Sequence, residues 1–255
     1  MVSIPGITPA LGLKGMPILV ALQQSFSDSY AITRDDASHT PQTLNNCADF
    51  LKAEGHIDSA GSDLDYRALL HEGARCDALE LLSHARPAPN GPFAKFSFAA
   101  LKLKNLPPQI DLLIANESLS EAKKIAARGG SVLAIEPSLR LHKNAPYESD
   151  LEAKDWSGSL IDYGHADLYG DGGDELLLLR TAQAKGGTYA ATDFFVLKQD
   201  GNRPLRLVDQ RPHLSPPATF HTQRRLHPLH SNSVTPVRWE EMEQLPHLRT
   251  SEYRT

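Results

Sequence analysis

Four short apolar runs, LIDYGHADL, ELLLLRT, YAATDFFVLK and LRLVDQ, follow one another between Trp156 and Asp209. They are separated only by GDGGD, AKGG and QDGNRP, segments rich in the residues that turns require. Short strands joined by tight turns form an antiparallel meander, because each neighbour in sequence becomes a neighbour in the sheet. The run ELLLL is continuous rather than alternating. That places it centrally, with both of its faces covered.

The rest of the chain reads differently. In residues 1–15 Pro5, Gly6, Pro9, Gly12 and Gly15 interrupt any period. Ile18, Leu22 and Phe26 step by four and predict a helical stripe. Thr40-Pro41 reads as a helix start, with Leu44, Cys47 and Leu51 on one face and Gly55 as the stop. Ser62 to Asp65 resembles a capping box before Tyr66, Leu69 and Leu70, and a further helical piece around Cys76, Leu79 and Leu82 ends before Pro87. Residues 1–90 are therefore expected to be mostly helical.

Residues 91–210 are expected to be a mixed α+β region carrying the meander at 156–209. Phe93, Phe96 and Phe98 make its start aromatic. IDLLIA (110–115) and SVLAIEP (131–137) read as strands around a helix that Ser118 and Glu121 cap and Gly129-Gly130 close, a β–α–β order. No GxGxxG or GxxxxGK[ST] accompanies it, so no nucleotide fold is implied. Residues 211–255 hold six prolines, five histidines and no lysine, and read as an extended or disordered tail. VTPVRWEEMEQL, with Trp239, could form one short element within it. The fold class expected is α+β.

Bulk properties narrow the function. The 255 residues carry a formal net charge of −5, with 40% hydrophobic and 22% charged residues. An acidic balance argues against nucleic acid as a partner, since phosphate binding calls for basic excess. No apolar run approaches the roughly 18–20 residues of a membrane span. PILVAL (17–22) is too short for the core of a signal peptide and runs into Gln23-Gln24, so no targeting segment is visible. The two cysteines, Cys47 and Cys76, lie in helix-like segments with 28 residues between them. We expect them to be bridged, which stabilises by about 3.5 kcal/mol for such a loop and implies an oxidising compartment. Two buried free thiols are the alternative.

The acidic stretch ADLYGDGGDE gathers Asp167, Asp171, Asp174 and Glu175 around three glycines. As a calcium loop counted from Asp167, it has oxygens at Asp171 and Glu175, but Tyr169 and Leu178 stand where two more side-chain ligands belong. The stretch resembles the D-x-N-G-D-G-x-x-D turn of FG-GAP or VCBS-type repeats of bacterial surface and periplasmic proteins. The match is at Asp167, Gly170, Asp171, Gly172 and Glu175 and departs at Tyr169, over about 15 residues occurring once. The resemblance implies a periplasmic or otherwise extracytoplasmic β-hairpin turn, not an activity. The main expectation is that Asp167, Asp171 and Glu175 hold turn amides; a calcium site at these three residues is the lesser one, and no other cofactor is expected.

Catalytic motifs are missing from the sequence: there is no GxSxG elbow, and His71-Glu72 lacks a second histidine four residues on. The cysteines have no local histidine to activate them, and Lys123-Lys124 and Arg224-Arg225 read as solvated pairs. We therefore expect a non-enzymatic bacterial envelope binding protein, an inhibitor or immunity protein with a protein partner. Its contacts are expected at Asp171, Asp174 and Glu175 and in the loop containing Asn202 and Arg203. The alternative is a hydrolase with a non-local Asp/His site near the meander, with His165 as a base beside Asp167.

Overall fold

The computed structural model describes residues 7–214, apart from 14, 35–40, 54–56, 114, 188 and 202. After a 3-10 turn at Pro9–Leu11 come a single helical turn, α1 (Ile18–Ala21), and then strands β1 (Ser25–Arg34) and β2 (Gln42–Asn46). Helix α2 (Cys47–Ala53), strand β3 (Ile57–Ala60) and the long helix α3 (Asp63–His84) complete this part. The three strands form an antiparallel sheet in the order β2-β1-β3.

This corrects two helix readings. The stripe Ile18, Leu22, Phe26 is broken after one turn, and Phe26 lies in β1 with its ring edge-on to Tyr30 at 5.7 Å. Tyr30 and Ile32 are buried two residues apart, the strand period that decides the segment. Leu44 is also in a strand, paired with Tyr30, so its helix starts later than the sequence suggested. Asn46 begins α2 by accepting the Asp49 amide at 2.9 Å on its side-chain oxygen. Thr40 and Gly55, the expected start and stop, lie outside the described residues.

Helix α3 is one element of 22 residues rather than two pieces. Ser62 caps it as expected: its Oγ accepts the Asp65 amide at 3.2 Å and donates to the Asp65 carboxylate at 2.7 Å. Cys47 of α2 and Cys76 of α3 are fully buried and joined by a disulfide, with a Cα–Cα distance of 5.0 Å. Gly73, one turn before Cys76, lets the helices touch. A Cβ there would stand 2.4 Å from Phe50 Cζ.

After α3 the chain runs through short 3-10 turns into α4 (Asn116–Ala127), which ends at Arg128 and Gly129, the latter at φ +76°. The helix starts two residues before Ser118. The expected flanking strands do not form: Pro108–Ile110 and Val132–Ala134 are 3-10 turns. Prolines at 107 and 108 remove backbone donors, and a short apolar run does not by its period distinguish a strand from a buried turn. Ile110 and Val132 are buried all the same, beneath the main sheet.

That sheet has six antiparallel strands in sequential order, β4 (Arg140–Ala145), β5 (Glu148–Glu152), β6 (Trp156–Ala166), β7 (Glu175–Ala184), β8 (Ala190–Lys198) and β9 (Arg206–Leu214). The last four are the runs expected from sequence. β9 extends to Leu214, paired with Ala191, so residues 211–214 belong to the sheet and not to a tail. The rest of the expected tail, including Trp239, lies outside the described residues. The overall class is α+β, as expected. Among the described residues no helix is long and apolar enough to cross a membrane.

Each face of the sheet carries a core. Leu177, Leu179, Phe194 and Val196 pack with α2 and α3 on one side. Leu176, Leu178, Phe195 and Leu197 pack with Phe93, Phe98, Ile110 and Val132 on the other. This is why ELLLL is continuously apolar. A buried polar cluster ties the second layer on. Arg180 donates to the Ile110 carbonyl at 2.7 Å and to the Asp111 carbonyl, and pairs with Asp193. Trp156 Nε1 donates to Asp111 Oδ1 at 2.9 Å, and Gln210 Nε2 to Asp193 Oδ1 at 3.1 Å.

Candidate functional site

Strand register sets the site. Ala166, Glu175, Lys198 and Arg206 are successive partners across β6, β7, β8 and β9. The acidic turn 167–174 and the loop 199–205 therefore emerge at the same end of the sheet. Gly170 and Gly172 take φ of +69° and +80° in the turn, a conformation that other residues resist.

Every acidic side chain of the turn has internal work. Asp167 Oδ2 accepts the Gly172 amide at 3.1 Å, and Asp171 Oδ1 the Gly173 amide at 2.7 Å. Glu175 Oε2 accepts the Leu168 amide at 3.0 Å. Asp174 Oδ2 accepts the Phe93 amide at 2.9 Å, while its Oδ1 lies 2.7 Å from His165 Nδ1. The Lys198 ammonium stands 3.2 Å from Asp171 Oδ2 and 3.1 Å from Glu175 Oε1. The Gly173 amide and Lys198 hold the Asp171 carboxyl below its ordinary range. Glu175 in turn raises the Lys198 ammonium.

The expected contact residues thus divide. Asp174 and Glu175 are 2% and 0% exposed and offer nothing to a partner, because a buried carboxylate is retained only where amides or cations satisfy it. Asp171 is open, with 55% of its side chain exposed, and so is Arg203. Asn202 lies outside the described residues. Sequence reasoning missed further residues at this end. Arg86 exchanges backbone hydrogen bonds with Asp167, and its guanidinium lies beside Gly170. Tyr169 is 47% exposed. Asp200 and Arg206 form an exposed ion pair at 2.9 Å. An aromatic residue in a glycine turn is a readable signal; Arg86 and Lys198 arrive only through pairing.

The expected metal ligands Asp167, Asp171 and Glu175 are employed as described. Among the described residues no group of three or more His, Cys, Asp or Glu is arranged to hold a metal ion. His165 stands against Asp174, not Asp167 as the hydrolase reading supposed, because Asp167 lies past the end of β6 and its Oδ2 is taken by the Gly172 amide of the turn. Asp162, also buried, accepts the Gly164 amide at 2.8 Å, and burial raises its carboxyl to about 6.

At the opposite end of β6 a shallow groove of about 290 Å³ lies between α3 and the sheet. Ser157, Thr181, Gln183 and Thr192 line it, and Arg67 is its one charged lining residue. Neither a protein-family model, nor a curated protein, nor a solved structure matches the chain.

Proposed function

We propose that this chain is a non-enzymatic binding protein of a bacterial envelope, an inhibitor or immunity protein that neutralises a toxin or enzyme. Its recognition end is formed by the turn 167–174 and the loop 199–205. The observation that carries the reading is the register Glu175–Lys198–Arg206, which sets two separate loops side by side on a rigid sheet. Exposed Tyr169, Arg86, Arg203 and Arg206 supply the residue types that dominate protein contacts. The net charge of −5 would steer the chain toward a basic partner. The disulfide supports an extracytoplasmic location.

The test is co-purification from the source cell with mass spectrometry, repeated with Asp171→Lys and Tyr169→Ala. A partner held by the wild type and weakened tenfold or so by either variant supports the reading. Asp171→Lys should also slow association and reduce its salt dependence. The second reading, a hydrolase, rests on the His165–Asp174 contact. A turnover of peptidoglycan, lipid or ester substrates that disappears in His165→Ala, with the fold intact, would replace the binder.

A further inference from the structure

We propose that the groove between α3 and the sheet is a binding site for a small hydroxylated carboxylate, the chemistry of a sugar acid. It lies at the end of the sheet opposite the turn 167–174 and does not depend on the protein-binding reading. Strand register builds its floor. Ser157 is opposite Gln183, and Ser159, Thr181 and Thr192 are successive partners across β6, β7 and β8. By the alternation of a strand, Thr181 shares its face with Leu177 and Leu179, and Thr192 shares its face with Phe194 and Val196. Those four apolar residues pack with α2 and α3. The same face turns to hydroxyls and an amide where the groove opens beside Arg67 and Leu70 of α3.

Thr192 is the residue that points to a ligand. Only 7% of it is exposed, yet it lines the groove, and its hydroxyl meets no hydrogen-bond partner among the described residues. Thr181 differs, its hydroxyl lying 2.8 Å from Ser159 Oγ. A polar group this deep is retained at a cost unless something satisfies it. The lining selects the ligand class. In a chain of net charge −5, the charged lining residue is Arg67, and the depression that continues past Ser157 and Gln183 adds Lys185, which pairs with Glu152. Among the described residues no acidic side chain lines either part. A guanidinium takes a carboxylate through two parallel hydrogen bonds. Ser157, Thr192 and Gln183 each donate and accept, which suits ligand hydroxyls. No aromatic ring among the described residues lines the groove, so a nucleobase finds no stacking surface. The volume of about 290 Å³ sits at the small end of ligand pockets, which limits the ligand to monosaccharide size.

The test is a titration of the full chain with sodium glucuronate, followed by amide chemical shifts in NMR. Glucose and sodium acetate are the neutral and the hydroxyl-free comparisons. Glucuronate should saturate with a Kd of about 1 mM, the range of a shallow site and a ligand this small. Glucose and acetate should each bind about tenfold more weakly or not at all. The shifts should cluster at 181–183 and 190–192. Thr192→Val keeps the shape and removes the hydroxyl. It should weaken glucuronate about tenfold, while its Tm without ligand equals or exceeds that of the wild type, because no protein hydrogen bond is lost. Arg67→Lys keeps the charge but not the paired donors, and should also weaken binding about tenfold. Lys123→Gln on α4 is the control for overall charge and should bind as the wild type does. The proposal is overturned by the absence of saturation up to about 20 mM, by acetate binding as well as glucuronate, or by shifts centred on 167–174. Binding unchanged in Thr192→Val or Arg67→Lys, or weakened equally in Lys123→Gln, also overturns it. So does a Thr192→Val variant that melts well below wild type or fails to fold, since the hydroxyl would then have structural work.

Discussion

His165 Nδ1 lies 2.7 Å from Asp174 Oδ1, and the other oxygen of that carboxylate accepts the Phe93 amide at 2.9 Å. One side chain thus joins the end of β6 to the segment that covers the sheet. Gly91 lets that segment close: a Cβ there would stand 2.0 Å from Asp174 Oδ2. Asp174→Ala leaves a buried amide without its acceptor and should cost about 1–3 kcal/mol, read as a lower urea midpoint. Gly91→Ala should also destabilise, by displacing the same carboxylate. An unchanged midpoint in both would show that the contact is incidental.

Asp162 should make stability depend on pH. Burial raises its folded carboxyl to about 6, against the opposing Gly164 amide and His165 charge. An unfolded aspartate titrates near 4, so the folded state holds the proton more tightly. The stabilisation is therefore complete below about pH 4 and disappears as the pH rises through about 6, an effect on the order of 2–3 kcal/mol. Asp162→Asn cannot ionise. Urea melts at pH 4.5 and 7 should show the gap between variant and wild type widening toward neutrality in favour of the variant. A constant gap would mean that the carboxyl is not perturbed.

The bridge between Cys47 and Cys76 should appear as a linked peptide pair in a non-reduced digest. Replacing both cysteines by serine opens the loop in the unfolded chain and should cost about 3.5 kcal/mol in the chain-entropy account. Thermal melts of the two proteins compare this directly. Equal melting temperatures would show that packing of α2 on α3 suffices without the link.

Gly73→Ala should destabilise by about 1–3 kcal/mol, because its new methyl meets the Phe50 ring, which is itself buried. Trimming the ring should relieve part of the clash. We expect Gly73→Ala/Phe50→Leu to be less costly than the sum of its two single changes, a coupling that a double-mutant cycle measures. Additive costs would mean that the helices part to accommodate the methyl.

The sequence alone determined β6 to β9, the glycine turn between β6 and β7 and the Ser62 cap. These are local or nearly forced. A strand covered on both faces must be apolar at every position, as Leu176 to Leu179 are, and a left-handed turn must carry glycine, as Gly170 and Gly172 do. Strands β4 and β5 escaped notice because Arg140, His142, Asp150 and Glu152 are exposed, so no apolar period marks them. IDLLIA and SVLAIEP misled for the opposite reason: Ile110, Leu112 and Val132 are apolar because they are buried, but they are buried in or next to turns with no strand paired beside them. The site itself was decided by tertiary structure. The acidic residues were visible, yet which of them face solvent depended on Lys198, Phe93 and His165 arriving from elsewhere. Those meetings follow from register and layer packing. Charge and spacing along the chain leave them open, because a carboxylate looks the same in sequence whether water or a buried amide will satisfy it.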